Sequence, residues 1–141
     1  MHCFGNRRPA ALALLIIGVM LSSLAAPANA DRRPSKAEAR AIKRVALKKC
    51  GSTDCHFVRS RVSTKNARFA WADVTTEGFS GVLVKRPTRR SRRFRVVGWQ
   101  GGGIGECKYW RARAPAAVLR DLRIVGLVDN SGAARNCGKG Q

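Results

Sequence analysis

Residues 85–95, KRPTRRSRRFR, place Lys85, Arg86, Arg89, Arg90, Arg92, Arg93 and Arg95 within one short segment. Guanidinium groups pair phosphates and carboxylates bidentately. A run this dense can neutralise several phosphates along a polymer, and such binding is sensitive to salt and blind to sequence. Pro87 fits the first corner of a turn, so the run reads as a hairpin tip. A solvated tip with no partner is the plain alternative. No helix-turn-helix or zinc-finger pattern accompanies it, so specific DNA recognition is not expected.

Catalytic chemistry has thinner support. His56 is the one histidine beyond residue 30. It adjoins Cys55 at the start of a strand-like segment, where a structural or surface role is the plainer reading. Asp73, Glu77 and Glu106 could form an acid–base pair, but nothing in their spacing brings two of them together. Asp73 lies among arginines and reads as an ion-pair partner. One histidine without spacing support makes no Ser-His-Asp constellation. Metal-ligand spacing is also lacking, and no cofactor is expected.

The other unusual stretch is GWQGGGIGECKYW, residues 98–110. A dinucleotide fingerprint needs G-x-G-x-x-G opening a helix. Here Glu106 stands where the last glycine belongs, and the next helix signal is Pro115. The run therefore reads as a bulged or flexible strand end whose glycines admit close backbone approach. Trp99, Gly101, Gly102, Gly103, Tyr109 and Trp110 could present a protein- or ligand-binding loop with aromatic anchors. Trp71 reads as core.

Compartment follows from the two ends and the cysteines. Arg7 and Arg8, the apolar run ALALLIIGVMLSSLAA and the Ala28-Asn29-Ala30 ending match a secretory signal cleaved after Ala30. An uncleaved anchor is the alternative, but the run is short for a span. Residues 1–30 read as signal peptide and 31–141 as one secreted or extracytoplasmic domain, with residues 136–141 a loose tail end. The chain carries 28 Lys and Arg against 8 Asp and Glu. Arg7 and Arg8 are the cations of the first 30 residues, which hold no acid, so residues 31–141 keep a net charge of about +18. That charge attracts polyanions. Cys50, Cys55, Cys107 and Cys137 read as two disulfides. Of three connectivities, Cys50–Cys55 and Cys107–Cys137 are favoured, closing a short turn and tying down the tail. Loop entropy makes these bridges worth roughly 2 and 3.5 kcal/mol. A four-thiolate zinc site is the rival, and the spacing does not match zinc ribbons.

The elements that must position these groups follow from period and capping. Ser35 to Glu38 is an S-x-x-E capping box, and Gly51 ends a helix over 36–49. Its stripe Ala39, Ile42, Val45 and Ala46 is Ala-rich without aromatics, so it faces a core rather than a membrane surface. Lys36, Arg40, Lys43, Arg44 and Lys48 face out. The period then switches to strands over 56–64, 68–75, 79–86 and 92–99, with turns at 65–67 and Glu77-Gly78. Short connections favour successive antiparallel hairpins. Pro115 suits the first position of a helix over 116–123, with Val118, Leu119 and Leu122 as its apolar face. The tail beyond Gly126 reads as loop. The order predicts an α+β fold: an N-terminal helix, a four-stranded antiparallel sheet, a short C-terminal helix and two disulfides.

The capped helix with Cys50, the segment Val62-Ser63-Thr64-Lys65-Asn66-Ala67-Arg68-Phe69-Ala70, and Phe94-Arg95-Val96-Val97-Gly98 resemble small secreted actinobacterial proteins of uncharacterised function. In those, a V-S-T-x-N/D-x-R-aromatic-A segment follows a capped helix, and a late R-V-V-G strand leads to a cysteine. The resemblance covers roughly residues 35–123. It implies secretion and an α+β layout, and it transfers no activity to any residue. The expectation is a secreted, non-enzymatic protein that contacts an anionic envelope or extracellular polymer, or a membrane surface, through the Arg-rich hairpin. The alternative is a module for an extracellular protein, such as a hydrolase inhibitor, presenting loop 98–110.

Overall fold

Ser35 begins the first helix where its sequence signal places it. In a computed structural model of the chain, residues 31–76, 79–101, 103–128 and 132–139 are described. Residues 1–30, Glu77 and Gly78, Gly102, residues 129–131 and the last two residues lie outside them, so the signal-peptide reading and the expected turn at Glu77-Gly78 fall on undescribed residues. Helix α1 spans Lys36–Cys50. The Ser35 hydroxyl accepts from the Glu38 N–H at 3.2 Å, and the Ser35 N–H donates to the Glu38 carboxylate at 2.9 Å. Gly51 ends the helix at φ 70°, a left-handed conformation open to glycine at little cost.

Four strands follow: β1 His56–Val62, β2 Phe69–Thr75, β3 Phe79–Lys85 and β4 Arg95–Gly101. They pair antiparallel in the order β1-β2-β3-β4, the successive hairpins that the short connections imply. The chain then forms two short helices, α2 Cys107–Arg111 and α3 Ala116–Asp121, and a small antiparallel pair, β5 Val125–Leu127 with β6 Ala134–Asn136. The α+β architecture matches the sequence reading. Helix α2 and the β5–β6 pair fall where only loop was expected, and Pro115 caps α3 from outside rather than occupying its first turn.

The sheet is covered on both faces because β2 is buried on both. Side chains alternate across a strand. One side of the sheet carries Val62, Ala70, Ala72, Val74, Val82 and Val84, and Ile42 and Ala46 of α1 pack there. Small residues on both partners fit the helix to the sheet. Phe69, Trp71 and Leu83 point the other way, toward Trp110, Val118, Leu119, Leu122 and Ile124. That side takes the large rings. Trp71 and Trp110 meet edge to face, with centroids 5.4 Å apart. The Trp71 ring lies over Gly81 and the Trp110 ring over Gly98, where any Cβ would collide with them. Two glycines of strand-like segments thus exist to admit tryptophans, a known use of glycine in strands.

Both disulfides join the expected pairs, Cys50–Cys55 with Cα atoms 6.4 Å apart and Cys107–Cys137 with 5.0 Å. Within the stretch expected as a loose tail end, residues 137–139 receive hydrogen bonds from arginines of α2 and α3. Arg111 donates to the carbonyls of Cys137 and Lys139, at 3.1 and 3.2 Å, and Arg120 donates twice to Gly138. Among the described residues no helix is long and apolar enough to cross a membrane.

Candidate polyanion-binding surface

The hairpin tip between β3 and β4 is held from inside by one of its own cations. Arg86 is only 7 % exposed. Its guanidinium donates to the Ala67 carbonyl at 2.9 and 2.7 Å, reaches Glu38 at 3.1 Å and stacks on the buried Phe94 ring. Its own carbonyl accepts from Arg68 at 3.0 Å. Arg86 therefore leaves the set of free anion-binding groups: the fold uses its charge to fasten the hairpin base to α1 and to the β1–β2 turn. Lys85 is also partly withdrawn, its ammonium 5.0 Å from the Phe69 ring centroid.

Beyond this base the loop is shaped by hydroxyls. The Ser91 N–H donates to the Thr88 hydroxyl at 3.2 Å, and the Arg93 N–H donates to the Ser91 hydroxyl at 3.1 Å. Arg89, Arg90, Arg92, Arg93 and Arg95 are exposed, and none has an acidic partner among the described residues. Asp73 and Glu38 have other partners. Asp73 takes Arg59 at 2.7 Å and the Trp71 indole N–H at 2.6 Å, the ion-pair role read from its arginine neighbours. Glu38 takes Arg32 and Arg86.

The tip also gains neighbours distant in sequence. Ser35, Ala37 and Glu38 at the start of α1 face Arg86, Arg90 and Arg92 across an open cleft of about 540 Å³. The exposed face of α1 continues from there with Lys36, Arg40, Lys43, Arg44, Lys48 and Lys49. At the helix's far end the Lys49 ammonium sits 4.8 Å from the Trp99 ring centroid. The sequence shows two separate basic segments, and the fold sets them side by side.

No family model, curated protein or solved structure matches this chain.

The second candidate loop is only partly presented. Trp110 is 0 % exposed, so it is a core residue and not an anchor. Tyr109 is half-buried, with Arg113 stacked 3.5 Å from its ring centroid and its hydroxyl accepting from the Trp99 N–H. Trp99 itself is 46 % exposed. Gly101 and Gly103 are exposed, and Gly102 lies outside the described residues. His56 is exposed at the start of β1, beside the disulfide-bonded Cys55. Glu106 pairs by backbone with Leu127, and Glu77 lies outside the described residues. Among the described residues no three His, Cys, Asp or Glu side chains are grouped to hold a metal.

Two acids do more here than the sequence reading assigns them. Glu38 closes the capping box, and it also receives Arg32 at 2.8 and 2.7 Å. Those bonds outweigh burial and, with the Ser35 N–H and the Arg86 charge, hold its carboxyl at about 2, against an ordinary 4.5. Asp121 accepts from the Ser63 hydroxyl at 2.7 Å, the Thr64 N–H at 2.6 Å and the Thr64 hydroxyl at 3.0 Å. Asp121 lies three residues after Val118, on the buried side of α3. That spacing was the available signal. The V-S-T-K-N segment is thus a turn built around a carboxylate: Ser63 and Thr64 grip Asp121, and Asn66 accepts from the Arg68 N–H.

Glu38 yields a pH prediction. Its folded-state carboxyl is depressed, so the stability it contributes is complete above about pH 4.5 and is lost as pH falls toward 2. Allowing for screening at the more exposed Arg32, the contribution is about 2 kcal/mol. The gap in unfolding free energy between the parent and Glu38→Gln should shrink by that amount across this window in urea titrations. A gap that stays constant with pH contradicts the assignment.

Proposed function

We propose that this is a secreted, non-enzymatic protein that binds an anionic envelope or extracellular polymer through its Arg-rich hairpin. The observation that carries this reading is the exposure of Arg89, Arg90, Arg92, Arg93 and Arg95, without acidic partners among the described residues, on a loop whose base is fastened by Arg86. A pre-shaped loop loses less conformational freedom on binding than a flexible one. The cationic face of α1 beside the hairpin supports an extended anion rather than a point ligand. Two disulfides and the signal-like N-terminus support an extracytoplasmic setting.

The test replaces Arg89, Arg90, Arg92 and Arg93 with Ser and measures elution from an anionic polymer matrix against salt. The variant should elute at markedly lower salt. Its log–log salt slope should fall by about 3, since each single-strand-like phosphate contact contributes about 0.7. An unchanged midpoint removes the hairpin from the reading. The exposed Trp99 favours the alternative of an extracellular protein partner, and capture from culture fluid that resists high salt would point there.

A further inference from the structure

A second cluster of arginines lies on the outer edge of β1. Arg33, Arg59, Ser60, Arg61 and Arg123 line an open cleft of about 530 Å³, together with Asp31 and Phe57. Two of these arginines are held at a cost that packing alone does not explain.

Arg61 is the first. Its side chain is 17 % exposed, and its nearest acids are Asp31 at 3.5 Å and Asp73 at 3.7 Å. Its Nε–H is buried without a hydrogen-bond partner among the described residues. A guanidinium carries five donors in a fixed fork, and leaving such a donor buried and unsatisfied is costly. Buried unsatisfied groups are uncommon, and each calls for a reason.

Arg123 is the second. Helix α3 ends with the Arg123 N–H on the Arg120 carbonyl at 3.1 Å and the Ile124 N–H on the Leu119 carbonyl at 2.9 Å. This paired closure places its first outside residue in the left-handed region, where glycine is the usual occupant. Here that residue is Arg123, at φ 55°, the single non-glycine residue with positive φ among those described. A side chain there is disfavoured, yet the one present is exposed and lines the same cleft as Arg61.

The charges agree with these two observations. Arg33, Arg59, Arg61 and Arg123 line the cleft together with Asp31, which Arg61 reaches, and Asp73 engages Arg59 and Arg61. Four guanidiniums against two carboxylates leave room for two further negative charges. Arg59 is bound to Asp73 through its Nε, and its terminal amino groups make no hydrogen bond among the described residues. We propose that this cleft is a site for a compact dianionic oxyanion, a phosphate dianion, held by Arg61 and Arg123 with Arg33 and Arg59 at its rim. The site is independent of the hairpin.

Arg123→Gly tests it, because glycine suits the left-handed position and the variant should fold with equal or higher thermal stability. Inorganic phosphate is titrated calorimetrically at pH 8, at ionic strength fixed with chloride. The parent should bind phosphate saturably, and Arg123→Gly should bind it about tenfold more weakly, the loss expected for one charge-assisted hydrogen bond. The hairpin variant with four serines should bind it like the parent. Equal affinity in Arg123→Gly and the parent overturns the proposal, as does no saturable binding to the parent. Loss in the hairpin variant alone also overturns it and moves the phosphate site to the hairpin. Polymer elution by Arg123→Gly should match the parent, so failure here leaves the polyanion reading standing.

Discussion

Replacing both Cys107 and Cys137 with Ala should lower the unfolding free energy by about 3.5 kcal/mol, whereas replacing both Cys50 and Cys55 should cost only about 2 kcal/mol. The sequence separations are 30 and 5 residues, and a longer closed loop removes more freedom from the unfolded chain. Burial acts in the same direction. Cys107 and Cys137 belong to the core cluster around Trp110, while the 51–54 segment enclosed by the other bridge is exposed. Close packing reinforces the difference. A Cβ on Gly126 would lie 2.6 Å from the Cys137 sulfur, and one on Gly138 would strike the Arg120 and Ala116 backbone. The tail is fitted to this site, so freeing it also loosens the bonds from Arg111 and Arg120. Urea unfolding of the two double variants under matched conditions checks the order. Equal losses, or a larger loss for Cys50–Cys55, would contradict the assignment of the tail bridge as the main staple.

Asp121→Ala should be comparably damaging, costing about 3 kcal/mol. The carboxylate is buried and accepts from two hydroxyls and from the backbone of the β1–β2 turn. Burial pushes its carboxyl up, but the bonds from Ser63, Thr64 and Lys65 prevail and hold it below the usual carboxylate range. Its removal strands the buried Ser63 hydroxyl and the Thr64 N–H. Each buried donor left without a partner costs about 1–3 kcal/mol. Ser63→Ala removes the bond to Asp121 and the one its hydroxyl accepts from the Asn66 N–H, while Asp121 keeps its others, so its cost should be about 1–2 kcal/mol. Denaturation midpoints for the two variants provide the check. A loss under 1 kcal/mol for Asp121→Ala would mean that the turn and α3 are held together by apolar packing alone.

Both predictions concern groups that the sequence treats unequally. The cysteine pairing was legible, because a short spacing and a terminal cysteine favour local closure and tail closure. Asp121 was not, because its partners lie some 57 residues away in the chain. Arg86 shows the same limit from the opposite direction. Within KRPTRRSRRFR it is chemically indistinguishable from its neighbours, yet it alone is buried against Glu38, Ala67 and Phe94. Trp110 likewise shares the composition of a binding loop with Trp99. Trp110, on α2, lies buried against Gly98, whereas Trp99, on β4, stays 46 % exposed.

Local signals therefore determined what local physics controls. The capping box and Gly51 bounded α1, alternation and short turns produced four antiparallel strands, and spacing paired the cysteines. The charge excess and the place of the basic hairpin were also present in the chain itself. Tertiary structure decided which of several identical side chains became structural. It also set the face of α1 beside the hairpin and gathered Arg33, Arg59, Arg61 and Arg123 around one cleft. Periodicity states which residues share a face of one element. Whether a given guanidinium meets a carboxylate, a ring or water depends on elements brought together from far along the chain.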